Sequence, residues 1–307
     1  MAHHVKPQQM HGNRVALALA VFALISTGGA LRAAEGDDVC VGCHNTTAWP
    51  DVHLIFATPH GVATDPRSPA ADGGCTACHG ESDAHRRNPA GAAPDIRFGE
   101  VRGSAVAAAD AVCLACHDAQ APHWSGSAHA VEDVPCTACH RLHARDDPVT
   151  QTNLQAEVCI TCHARVRAEM HLPSRHALAE GQILCTDCHN PHGSLKPAEL
   201  TGINLNETCL RCHAELRGPF LFDHPPAADD CSICHRPHGA VFTPLLVARG
   251  PQLCQDCHEA AFHPSDLNAG GGLPSASPNA ALLARNCLNC HPKVHGTNHP
   301  SGARLTR

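Results

Sequence analysis

Apolar residues form one continuous run near the start of the chain and only short, interrupted runs after it. A basic segment precedes the apolar residues 15–25, and small residues follow them up to Ala34. A basic start, a short apolar core and a small-residue zone are typical of a signal peptide, and this run is shorter than the roughly 18 residues of a membrane-spanning helix. We therefore expect residues 1–34 to be a signal peptide, cleaved within residues 30–34, and the mature chain to be exported to a bacterial periplasm.

The remainder of the chain predicts few long elements. Pro and Gly, at 24 residues each, favour loops, and strand signals are weak. The clearest helix covers residues 154–170, where good helix formers surround a pair of cysteines. No segment after residue 34 is apolar enough to cross a bilayer as a helix.

The cysteines follow a strict pattern. All 20 occur in C-x-x-C pairs, every pair is followed at once by His, and no Cys is left over. C-x-x-C-H is the attachment sequence of c-type haem: two thiols one helical turn apart add to two vinyl groups, and the next imidazole becomes the proximal ligand of the iron. The ten motifs, numbered below in chain order, are Cys40/Cys43/His44, Cys75/Cys78/His79, Cys113/Cys116/His117, Cys136/Cys139/His140, Cys159/Cys162/His163, Cys185/Cys188/His189, Cys209/Cys212/His213, Cys231/Cys234/His235, Cys254/Cys257/His258 and Cys287/Cys290/His291.

Other uses of paired cysteines explain this pattern less well. A zinc ribbon does not require His after every second Cys. A thioredoxin-like redox pair explains one motif and not ten, and a disulfide framework does not impose this spacing. The sequence therefore predicts ten covalently bound haem c groups.

The second axial ligands follow from composition. The chain has no Tyr, and Met170 is the only Met after residue 34, so His is the remaining common ligand. Fourteen His after residue 34 lie outside the motifs, which is enough for ten bis-His irons.

A two-motif repeat indicates which histidines are the second axial ligands. Each pair of motifs has one His between its motifs and another just after the second. The candidates are His60, His85, His129, His143, His176, His192, His224, His238, His263 and His295, with His299 as a rival for either place in the last unit. His53, His123 and His171 are not placed among the expected ligands. A His three residues after a proximal ligand, such as His192 after His189, lies on the same face of that haem, so it must bind a neighbouring one.

The fold class follows from the density of motifs. Aromatic residues are only 3% of the chain, and roughly 27 residues per motif leave too little chain for an ordinary side-chain core. We expect a multihaem cytochrome c fold: a mostly irregular chain with short α-helices wrapped around an elongated stack of ten haems, with little or no β-structure. A division into two five-haem halves, residues 35–170 and 171–307, is attractive, although the motif spacing supports two-haem repeats better.

The chain resembles the MtrA/DmsE-type decahaem cytochromes. The resemblance is carried by the ten motifs, by the text from Thr58 to Gly61, by Pro-His-Gly after the sixth and eighth motifs, and by the C-terminal text from Val294 to Gly302. It implies an electron-transfer wire between the periplasm and the outer-membrane surface. The implied partners are an outer-membrane β-barrel porin, a periplasmic donor or acceptor cytochrome and an outer-surface multihaem cytochrome.

Two alternatives to the wire stay open. One is a soluble periplasmic shuttle that delivers electrons to a separate reductase. The other is a multihaem reductase, which needs an open iron position, whereas the supply of His exceeds the demand here. We therefore expect an electron carrier and no catalytic residues. The net charge of −7 comes without a basic stripe, so nucleic acid is not an expected partner.

Overall fold

The computed structural model describes residues 37–45, 47, 50–99, 103–259 and 286–306. The predicted signal peptide and His263 lie outside these residues. Within them, helices α1–α11 span Asp37–Cys43, Cys75–His79, Asp83–Arg87, Val106–His117, Ala128–Val131, Gln155–Ile160, Ala164–Glu169, Cys185–Cys188, Leu205–Leu210, Pro225–Asp229 and Gly250–Gln255. Short 3-10 helices span Pro50–Ala57, Pro59–Gly61, Pro69–Ala71, Trp124–Gly126, Cys136–Ala138, Pro148–Thr150, Pro197–Glu199, Ala214–Leu216, Cys231–Ile233, Cys287–Asn289 and Gly302–Arg304.

The backbone between these helices is irregular. Over the described residues it forms no β-strand, and extended pairing is limited to isolated bridges such as Ser174 with Ala240. The prediction of short helices in a mostly irregular chain is confirmed. None of the helices in the described part of the chain is both long and apolar enough to cross a membrane.

One predicted helix is wrong. Residues 154–170 form two helices, α6 and α7, instead of one. The break falls at His163, whose backbone φ of −84° and ψ of 64° lie outside the helical region. Helix propensity predicts one continuous helix over these residues. In the structure, the fifth motif completes one helical turn and the backbone leaves the helical conformation at His163.

The motifs alternate between two local structures. The odd-numbered motifs lie at the C-terminal parts of α1, α4, α6, α9 and α11. The even-numbered motifs begin a short helical turn, at the first residue of α2, of α8 or of a 3-10 helix. The backbone therefore repeats every two motifs, as the histidine spacing does.

Buried apolar side chains are few. The main cluster contains Ile160, Met170 and Leu178, with Ala156 and Ile183 packed beside it. Met170 is only 3% exposed, so the single methionine after residue 34 is used in packing. The described residues belong to one compact unit, and the division into five-haem halves stays a prediction.

Candidate haem-binding sites

Each attachment motif is one helical turn. The backbone N–H of the motif histidine donates to the carbonyl of the first cysteine, at 2.9 Å for His44 and Cys40 and 3.0 Å for His140 and Cys136. This bond holds the two cysteines one turn apart, the spacing that addition to two vinyl groups requires. All twenty cysteines lie in the described part of the chain, and none forms a disulfide.

Nine motif histidines lie ring to ring with a second histidine. The ring centroids of each pair are 6.0–6.4 Å apart. With metal–nitrogen bonds of about 2 Å and ring centres about 1 Å beyond each nitrogen, two imidazoles on opposite faces of one metal have centroids about 6 Å apart. The pairs are His44–His85, His79–His143, His117–His60, His140–His192, His163–His129, His189–His238, His213–His176, His235–His295 and His258–His224. This spacing fits bis-His haem iron.

The pairs follow a register of two motifs. The partner of each even motif histidine, from the second to the eighth, follows the next even motif by three or four residues, as His192 does for His140. The partner of each odd motif histidine, from the third to the ninth, precedes the even motif before it, as His129 does for His163. Among the nine pairs, only that of His44, at the first motif, departs from this register, since it is formed with His85. Consecutive units are therefore stapled together.

At most of these histidines a hydrogen bond is made by the Nδ1 atom, the ring nitrogen on the side away from Nε2. The Nδ1 atom of His85 donates to the Ala92 carbonyl at 2.9 Å, and that of His189 donates to the Ala198 carbonyl at 2.7 Å. A ligating histidine usually donates its other ring N–H to such an acceptor, which fixes the tautomer. The same arrangement occurs at His79, His129, His143, His176, His224, His235 and His291.

Burial favours the metal-binding form of several rings. It lowers the pKa of five paired histidines, and the facing imidazole lowers it further: His60, His79, His192, His238 and His295. Neutral imidazole is the form that binds a metal, so these environments suit iron ligation.

Adjacent motifs contact one another in chain order. The third and fourth motifs meet where the thiols of Cys113 and Cys136 lie close enough for each to shift the pKa of the other. Equivalent first-cysteine contacts join motifs five to six, seven to eight and nine to ten, through Cys159–Cys185, Cys209–Cys231 and Cys254–Cys287. Second cysteines lie close at the other junctions, at Cys78–Cys116, Cys139–Cys162, Cys188–Cys212 and Cys234–Cys257. From the second motif to the tenth, each attachment point is therefore next to the following one.

The two cysteines of a motif differ in exposure, which the sequence did not predict. The first cysteine is partly buried in all ten motifs, and the first cysteines of the third to the tenth motifs interact in pairs at the junctions. The second cysteine is exposed in every odd motif and in the tenth: Cys43, Cys116, Cys162, Cys212, Cys257 and Cys290. An exposed thiol is accessible to a vinyl group, so their predicted attachment role stays a prediction.

Polar side chains strengthen the junctions between odd and even motifs. The buried Asp110 on α4 accepts the Cys136 N–H at 3.0 Å, and Asn206 on α9 accepts the Cys231 N–H at 2.8 Å. Each residue lies three positions before its own motif. Sequence reasoning missed these residues because their acceptor role depends on a contact with the next motif.

The glycines of the Pro-His-Gly segments allow close backbone approach. A Cβ at Gly193 would lie 2.5 Å from the His123 carbonyl oxygen, and one at Gly239 would overlap the Glu169 carbonyl oxygen. Only a residue without a side chain fits at these positions. In each of these Pro-His-Gly segments, the glycine therefore places the preceding histidine close to the backbone of a neighbouring segment.

Two ring nitrogens form hydrogen bonds with carboxylates. His140 Nδ1 lies 2.7 Å from Asp147 Oδ2, and His238 Nδ1 lies 3.2 Å from Glu169 Oε2. Burial opposes ionisation of Glu169, but hydrogen bonds from Arg165 and His238 outweigh it and hold the pKa of this carboxyl below its ordinary value. Neither carboxylate was predicted from the sequence, and the Glu169 contact joins residues 69 positions apart.

The remaining histidines are placed differently. His53 Nε2 contacts the His44 carbonyl at 2.7 Å. His299 is exposed, and its Nδ1 accepts the Ser301 N–H at 3.1 Å. His123 and His171 are also exposed. His263, the other candidate for the last unit, is outside the described residues.

Comparison with known proteins gives matches along most of the chain. The family model described as cytochrome c-type protein NrfB-like matches residues 75–162. The model for a doubled CXXCH motif matches residues 176–218 and 224–263, which group motifs six with seven and eight with nine. The chain is 43% identical over 276 residues to the multihaem cytochrome MtrA of Shewanella baltica strain OS185, covering 89% of this chain and 82% of that protein.

Proposed function

We propose that this chain, which belongs to the MtrA family of multihaem c-type cytochromes, is a ten-haem wire that conducts electrons between the periplasm and the outer-membrane surface. Family membership shows a c-type cytochrome with covalently bound haem that transfers electrons. The number of haems, their ligands and the route of the electrons are the proposal.

The observation that carries the proposal is the order of the attachment points. The junctions from the second motif to the tenth bring cysteines of consecutive motifs together. Haem c, when bound, supplies an iron that takes up and releases one electron. Thioethers at these cysteines hold consecutive haems side by side, so electrons hop along the chain without a diffusing carrier.

The histidine pairs give each site its ligands. In the proposed assignment, the two rings of each pair would hold one haem iron between them, and the Nδ1 hydrogen bonds would orient Nε2 for ligation. His291 and His263 complete the tenth site. With both faces occupied, no position is left for a substrate, which favours an electron carrier over a reductase.

Family membership and the irregular backbone support the proposed location and partners. Irregular backbone cannot face lipid, because its polar groups need hydrogen-bond partners. A wire across the outer membrane therefore needs a surrounding β-barrel porin. Inside it, a periplasmic cytochrome exchanges electrons at one end and an outer-surface multihaem cytochrome at the other.

The test is isolation of the native protein. Outer membranes of the source organism are extracted with mild detergent, and the haem-stained band is purified. The wire predicts a β-barrel protein in fixed ratio with the cytochrome, and an intact mass that corresponds to ten attached haems. Release into the periplasmic fraction without a barrel contradicts the porin assignment and favours the soluble shuttle.

A further inference from the structure

The even-numbered motifs share one hydrogen-bonding pattern, and the fourth departs from it. At four of these motifs, the Nδ1 atom of the motif histidine donates to a peptide carbonyl at 2.6–3.0 Å. These bonds are His79 to Ile96, His189 to Ala198, His235 to Pro244 and His291 to Arg304. His140 donates to the Asp147 carboxylate instead. The even-numbered motifs therefore allow a neutral carbonyl acceptor and an anionic carboxylate acceptor to be compared within one protein.

Asp147 is held firmly in this position. Its Oδ2 accepts from His140 at 2.7 Å, while its Oδ1 accepts the backbone N–H of Arg141 at 3.2 Å. The side chain is 19% exposed, so water screens the carboxylate only in part. The two hydrogen bonds hold the carboxylate against the His140 ring, which faces His192.

Glu169 occupies a similar position at the sixth site. Its Oε2 lies 3.2 Å from Nδ1 of His238, the partner of His189, and the side chain is 15% exposed. Its Oε1 accepts from Arg165 Nε at 2.9 Å. That guanidinium is 87% exposed and well solvated, so it offsets the carboxylate only in part.

A carboxylate behind an axial imidazole favours ferric iron. The anion draws the Nδ1 proton towards itself, which makes the ring a stronger electron donor to the metal. Ferric haem also carries one more positive charge than ferrous haem, so a nearby anion in a partly desolvated site stabilises it more. Both effects lower a reduction potential, which hydrogen bonding and burial are known to set.

We propose that Asp147 and Glu169 are positioning residues that lower the reduction potentials of the fourth and sixth haems, relative to sites with carbonyl acceptors. The inference rests on the proposed function in one respect, that the pairs His140–His192 and His189–His238 ligate iron. Asp147 has the larger effect, because its contact is shorter and, among the described residues, no Lys or Arg pairs with it. Electrons then spend less time on these two haems than on their neighbours.

The test is a redox titration of the purified holoprotein at fixed pH, followed by the reduced haem absorbance. The electrode supplies one electron per iron. In Asp147→Asn and in Glu169→Gln, one haem's share of the absorbance moves to higher potential while the rest of the curve is unchanged. The shift is larger for Asp147→Asn, and the two shifts add in the double variant. Asp147→Glu, which keeps the charge, stays close to the wild-type curve.

Matched controls separate charge from contact. Asp65→Asn and Glu180→Gln each remove one carboxylate that pairs with an arginine and not with an imidazole, and they leave the titration unchanged. Electron paramagnetic resonance of each variant checks that the irons stay low-spin with two His ligands. Unchanged curves for both carboxylate variants, with ligation intact, overturn the inference.

Two further outcomes are distinguishable. If Asp147→Asn loses a haem, Asp147→Glu and Glu169→Gln decide the question, and the inference fails if Glu169→Gln then gives no shift. If the wild-type protein shows high-spin iron or fewer than ten haems, the ligand assignment itself is wrong. That result contradicts the proposed function before any variant is compared.

Discussion

Removal of His192 tests the ligand register directly. The His192 ring faces His140 at a centroid distance of 6.0 Å, and burial keeps its pKa low. In His192→Ala, the iron of the fourth site keeps His140 and loses its second ligand. We therefore expect one five-coordinate haem, which binds carbon monoxide when reduced.

The size of the effect follows from the pairing. One histidine serves one iron, so the variant takes up one carbon monoxide per chain. The spectral change involves about a tenth of the haem absorbance if ten bis-His haems are present. Gas titration of the reduced protein in an anaerobic cell measures both quantities.

Two further variants, each combined with His192→Ala, identify which haem binds carbon monoxide. Replacement of both Cys136 and Cys139 by Ala removes the fourth haem, and the response to His192→Ala should then disappear. Replacement of both Cys185 and Cys188 by Ala removes the sixth haem, which is nearest to His192 in sequence, and the response should persist. The opposite result refutes the two-motif register.

A substitute ligand is the main confounding factor. His123 lines the same cavity as His192, so it is the residue placed to replace it. His123→Ala alone should bind no carbon monoxide, whereas the double variant should bind one equivalent even if His192→Ala binds none. Absence of binding in the double variant, with ten haems attached, means that His192 is not an axial ligand.

Three further predictions concern intact sites and their supports. The reduced wild-type protein should show no stoichiometric spectral change with carbon monoxide, and a change equal to one haem would favour a reductase. Asp110→Ala should destabilise the chain by about 1–3 kcal/mol, because it leaves the Cys136 N–H without its acceptor. Denaturant unfolding followed by haem absorbance measures this loss, and Asp65→Ala, which removes the partner of the exposed Arg67, should change the midpoint little. Gly239→Ala should lower the yield of fully haem-loaded protein, because its Cβ overlaps the Glu169 carbonyl, and a normal yield contradicts the close-approach argument.

The sequence predicts the attachment residues well because the covalent chemistry is local. Two thiols and one imidazole must lie within a single turn, so five consecutive residues describe each site. The irregular fold is predictable for a related reason, since so dense a set of motifs leaves little chain for a side-chain core. The helix predicted over residues 154–170 shows the limit, because the fifth motif ends its turn at His163.

The supporting contacts could not be predicted because they join distant residues. His143 donates to the carbonyl of Val52, 91 positions away, and His129 donates to that of Pro191, 62 positions away. No local pattern distinguishes these acceptors from other carbonyls. The carboxylates of Asp147 and Glu169 are two among 29 acidic residues, and only their hydrogen bonds to an imidazole separate them from the rest.

The last unit gives the final test of the repeat. The two-motif register does not apply to the histidines of the first and tenth motifs. We therefore expect each of them to pair with a histidine of its own two-motif unit. At the start, His85 does this by pairing with His44. By the same rule we expect His263, and not His299, to be the second ligand at the site of His291. His299 Nδ1 accepts the Ser301 N–H, so in the neutral ring the proton is on Nε2, the atom through which we propose that the paired histidines bind iron. His263→Ala should therefore open one carbon monoxide site per chain and His299→Ala none, and the reverse result would show that the chain ends close differently.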